Sequence, residues 1–92
     1  MRQFVIERDM PGIGSADAKA LGEGSRKSCS VLRDLGPDIQ WVHSYVTQDR
    51  IYCVYRAESE SLIREHAARS GFPASKITEV RAIIDPTTGA AA

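Results

Sequence analysis

The sequence has no surplus of charge of either sign. Its twelve Lys and Arg residues cancel its twelve Asp and Glu residues. A nucleic-acid binder carries a basic stripe, and an anionic membrane surface attracts clustered cations. The balance argues against both partners. No apolar run approaches the roughly 20 residues that span a bilayer. The N-terminal MRQFVIERD brings charge after too short an apolar run for a secretory signal, so a cytoplasmic location is the expectation. Cysteine is scarce. Cys29 and Cys53 stand far apart with no CxxC, and without an export signal they are expected to be reduced thiols packed as small hydrophobes. The strong catalytic signatures are missing too: no HExxH, no GxSxG and no paired CxxC. PGIG lacks the spacing of a phosphate loop and reads as a turn. SRKS has two scattered basic residues and reads as a solvated face.

What is present is one small domain. A chain of 92 residues has a thin core, and association is a common remedy. The run QFVIER, Gln3 to Arg8, reads as a strand stopped by Pro11-Gly12. Ser15 is the expected N-cap of a helix over Ala16–Leu35, with a stripe at Leu21, Ser28, Leu32 and Leu35. Gly22 and Gly24 interrupt that helix, so Ser25–Leu35 is its firm part. Gly36 and Pro37 end it. Ile39–Val46 is the second strand, Gln48-Asp49 a turn, and Ile51–Ala57 the third strand. Glu58-Ser59-Glu60 opens a second helix that runs to Ser70 and stops at Gly71. Ile77–Ile84 is the fourth strand. The domain spans residues 1–86, and residues 87–92 form a small-residue tail expected to be mobile.

The order β-α-β-β-α-β is the ferredoxin-like arrangement, an α+β fold with a four-stranded antiparallel sheet and both helices on one face. The other face is then bare, and a bare face of that size marks an interface or a ligand groove. The hairpin WVHSYVTQDRIYCVY, Trp41 to Tyr55, holds the one tryptophan and all three tyrosines, so its two faces matter. Side chains alternate along a strand. With a two-residue loop, Tyr45 faces Tyr52, His43 faces Val54 and Trp41 faces Arg56, all on the open face. Val42, Ser44, Val46, Ile51, Cys53 and Tyr55 then lie under the helices. A three-residue loop would instead put Cys53 and Tyr55 beside His43. On the first strand, Phe4 and Ile6 belong to the core, with Arg8 on their side, and Glu7 turns to the open face with His43.

His43 is the leading candidate, since imidazole serves proton transfer or metal ligation near neutral pH. The plain alternative is a histidine bonded within a dimer interface. His66, beside the Ile63 and Ala67 stripe of the second helix, reads as a solvated boundary residue. With Glu65 it could form a surface metal site, although Glu65 and Arg69 also make an ordinary i, i+4 pair. Trp41, Tyr45 and Tyr52 could stack on a flat ligand or fill a dimer seam.

FVIERDMPGIG, KSCSVLRDLGPDIQWVHSYV, DRIYCVYRA, REHAARSGFPASKI and the closing IIDP resemble a small bacterial family of ferredoxin-like domains of unknown function. Some of its members are described as nickel-binding proteins. The likeness runs from Phe4 to Pro86, and the glycines of LGEG depart from it. It implies a homodimer that binds divalent nickel near its surface for sequestration or tolerance, with His43, His66, Glu7 and Glu65 as the donors on offer. Imidazole and carboxylate suit nickel without selecting it over copper. Two other readings stand beside this one. In a cofactor-free isomerase, cyclase or oxygenase, His43 would be the general base, oriented by Glu7, with Tyr45 or Tyr52 donating to an oxyanion. In an interaction module, the aromatic face would only make the dimer.

Overall fold

The computed structural model describes residues 1–91. Strand β1 (Arg2–Asp9) leads through a 3₁₀ turn at Ile13–Ser15 into helix α1 (Ala18–Leu35). Strands β2 (Ile39–Val46) and β3 (Arg50–Ala57) form the hairpin, followed by helix α2 (Glu60–Ser70), strand β4 (Lys76–Glu79) and a short helix α3 (Pro86–Ala91). The strands form one antiparallel sheet in the order β2-β3-β1-β4. This is the ferredoxin-like topology.

Alternation along β1 sets the layers. Phe4, Ile6 and Arg8 are buried, whereas Val5 and Glu7 are only half-buried on the other face. Phe4 and Ile6 meet Ile39, Cys53, Tyr55, Ala57 and Ile63 in one core, flanked by Leu32 and Leu35 of α1. Burying one such aliphatic or aromatic side chain stabilises the fold by about 1.5–3 kcal/mol. Both thiols are free, Cys53 buried and Cys29 half-buried.

Five details differ from the sequence expectation. The cap of α1 is Asp17, not Ser15: the Asp17 carboxylate accepts the Ala20 N–H at 2.8 Å, while Ser15 closes the 3₁₀ turn. Helix α1 is also continuous through Gly22 and Gly24. Ser59 precedes α2, but its hydroxyl bonds Ser61 rather than capping the helix backbone. Strand β4 is half the expected length. Val80 N–H still reaches the Gln3 carbonyl at 2.8 Å, but β1 begins at Arg2, so residues after Val80 run past their partner. In the expected tail, α3 starts where Asp85 accepts the Thr87 N–H at 2.8 Å. Ala92 lies outside the described residues.

Candidate functional site

The hairpin carries the first candidate. Its ladder follows the two-residue loop as far as His43: Val46 pairs with Ile51, Tyr45 with Tyr52, Ser44 with Cys53 and His43 with Val54. There a β-bulge intervenes. Trp41 pairs with Tyr55, and Val42 has no residue opposite it. An extra residue in one strand shifts the alternation by one position. Trp41 therefore leaves the open face and turns under the helices, and Arg56 faces Gln40 instead. The Trp41 indole N–H donates to Ser44 Oγ at 2.9 Å.

The open face keeps His43, Tyr45, Tyr52 and Val54 from the hairpin, with Val5 and Glu7 from β1. His43 is exposed and meets the Tyr45 ring edge-on at 5.0 Å between centroids. Glu7 shares this face but not its neighbourhood. It sits opposite Tyr52, and Tyr52 opposite Tyr45, so β3 separates Glu7 from β2. Two strand spacings are about 9–10 Å. Glu7 instead accepts from Arg50 Nη1 at 3.4 Å, while Arg50 Nε bonds Asp9 at 2.8 Å. The His43–Glu7–tyrosine acid–base set is therefore not assembled within one chain.

His66 is not a boundary residue. It is fully buried at the α1–α2–sheet junction. Its Nε2 lies 3.0 Å from Ser28 Oγ, which in turn lies 3.3 Å from the Tyr55 hydroxyl. Its Nδ1 has no partner among the described residues. Burial, reinforced by the nearby Arg8 charge, lowers its pKa to about 4, so the imidazole is neutral at physiological pH. Burial also raises the Tyr55 pKa, against the opposing bond from Ser28. Glu65 lies exposed on α2 and pairs with Arg69 at 2.5 Å. The four proposed donors thus fall in four separate places. Among the described residues no group of three His, Cys, Asp or Glu side chains is close enough to hold a metal ion.

Beneath the N-terminal half of α1 lies a cavity of about 300 Å³, bordered by Arg8, Ser28, Trp41, Ser44, Tyr55 and Phe72 among others. His43 is not in its wall. Sequence reading passed over Arg8. The alternation that buried Phe4 and Ile6 had already placed a guanidinium on the core side, and that was the signal. Among the described residues no helix is long and apolar enough to cross a membrane.

The sequence family described as nickel responsive protein SCO4226-like matches residues 4–80. Among solved structures, the crystal structure of SCO4226 from Streptomyces coelicolor A3(2) superposes with a TM-score of 0.75 at 19% sequence identity. The match covers 89% of this chain and 99% of that one, and at such identity it speaks for the fold alone. No curated protein matches the chain.

Proposed function

Because this chain belongs to the nickel responsive protein SCO4226-like family, we propose that it binds divalent nickel for sequestration or tolerance, with His43 as the ligand and a second copy of the chain completing the site. The observation that carries this reading is that His43 is the one imidazole on an accessible face. His66 is sealed beneath the helices.

A single chain does not fit the ion. It offers one open imidazole and no cluster of three donors among its described residues. A paired copy brings a second His43, and water fills the remaining positions. Such an open site favours modest affinity and little selectivity against copper. Association has independent support. Ile83 and Ile84 are 72% and 77% exposed just past the end of β4, and Tyr45 is 61% exposed on the open face. Exposed apolar groups in such positions mark interaction surfaces. The acid–base reading has less support, since Glu7 is too far from His43 to orient it.

Calorimetric titration of tag-free protein with nickel tests the proposal, with His43→Ala and His66→Ala run alongside. Stoichiometric uptake that is lost in His43→Ala and kept in folded His66→Ala is the expected result. Absence of uptake, or uptake indifferent to His43→Ala, refutes it.

A further inference from the structure

The cavity under α1 holds a charge that the protein does not neutralise. Arg8 is 2% exposed. Its Nη1 donates to the Pro73 carbonyl at 2.8 Å, and its Nε to Cys53 Sγ at 3.4 Å. The Phe72 ring lies 5.9 Å from the guanidinium carbon. Among the described residues no carboxylate pairs with the guanidinium, and its remaining polar neighbour is the Tyr55 hydroxyl. Buried charges are ordinarily paired, because desolvating an unpaired ion is expensive. His66 does not help, since its buried imidazole is neutral at physiological pH and feels the Arg8 charge only as a repulsion that lowers its pKa.

The same cavity is otherwise suited to a small ligand. Its volume of about 300 Å³ falls at the lower end of the range for small-molecule pockets. Leu21, Trp41, Ile51 and Phe72 give it apolar and aromatic walls. Ser44 Oγ already accepts the Trp41 N–H, which leaves the serine's own proton free to donate. Tyr55 stays protonated because burial raises its pKa.

We propose that this cavity is a binding site for a small organic monocarboxylate with an apolar body, its carboxylate paired with Arg8. A planar carboxylate complements the guanidinium fork. One arginine with few spare donors fits a single negative charge better than a phosphate dianion. A metal cation is disfavoured here by the Arg8 charge, so the site is independent of nickel binding at His43.

The test uses benzoate and hexanoate, each compared with its neutral amide. Binding is followed through the indole N–H resonance of Trp41, the sole tryptophan. Both acids are expected to shift this resonance and to bind roughly tenfold more tightly than their amides, as a charge-assisted pair requires. Arg8→Gln should erase the preference for the acid. Gly24→Leu leaves Arg8 in place and fills the cavity from α1, where Gly24 lines the wall. It should abolish binding of acids and amides alike. Circular dichroism establishes that each variant is folded. Should Arg8→Gln fail to fold, the acid–amide comparison in the unaltered protein and Gly24→Leu still decide. No shift with either acid, equal binding of acid and amide, or a preference that survives in folded Arg8→Gln overturns the proposal.

Discussion

His66, buried on α2 with its Nε2 against Ser28, ties the stability of this protein to pH. Its pKa is lowered from the ordinary 6.5 to about 4, chiefly by burial. The unfolded chain therefore takes up a proton on this imidazole at a higher pH than the folded chain does. Its stabilising contribution is complete above about pH 6.5 and is lost as the pH falls toward 4, because stability rises with pH wherever the unfolded state binds more protons. At about 1.4 kcal/mol per pKa unit, the loss amounts to roughly 3 kcal/mol. The urea midpoint should decline between pH 6.5 and 5, and His66→Gln should flatten that decline. Glu79, held low by its bond to Arg2, and Asp85, held low by Thr87, contribute to the loss only at more acid pH. That His66 lies near the core was legible from its position beside Ile63 and Ala67. Its complete burial was not, because that depends on Ser28 and Tyr55 arriving from two other elements.

Among the elements, the glycines of α1 and the turn before it separate local cost from tertiary need. A Cβ at Gly24 would lie 3.8 Å from the Phe72 ring, and one at Gly22 would lie 3.4 Å from the mobile end of Arg26. Neither meets rigid backbone. Gly22→Ala and Gly24→Ala should each stabilise the protein by about 0.5–1 kcal/mol, the helix-interior difference between the two residues. Gly14 is different. Its N–H bonds the Gln48 carbonyl at 2.9 Å, and a Cβ there would lie 2.7 Å from Gln48 Cα. Gly14→Ala should destabilise by about 1–3 kcal/mol, as overpacking does. Thermal and urea denaturation of the three variants would check both signs. Sequence propensity placed all three glycines in the right segments. It could not distinguish them, since the distinction lies in what packs against each position.

For the molecule as a whole, the proposed pairing of two copies predicts that nickel raises the dimer fraction in sedimentation velocity. His43→Ala should remove this response. Replacing both Ile83 and Ile84, exposed beyond β4, by Glu should lower the dimer fraction with or without nickel. Most of the architecture was readable in advance. The order of the main elements, the hairpin strands to within one residue and the two-residue loop all follow from apolar periodicity and turn residues. The candidate site was less readable. The four donors lie in separate places, Trp41 changes face at a bulge, and Arg8 proves to be the unneutralised charge of the cavity.

The sequence by itself determined the order of the four strands and two main helices, where Gly36 and Gly71 end those helices, and that one face of β1 is core. These features depend on neighbours a few residues away, and local spacing encodes them. Only the tertiary structure decided that β3 stands between His43 and Glu7, that His66 is sealed against Ser28, and that β4 ends where β1 runs out. Each of these depends on strand order, on a one-residue shift in the ladder, or on which helix covers which residue. Those relations join distant parts of the chain, and no local pattern specifies them.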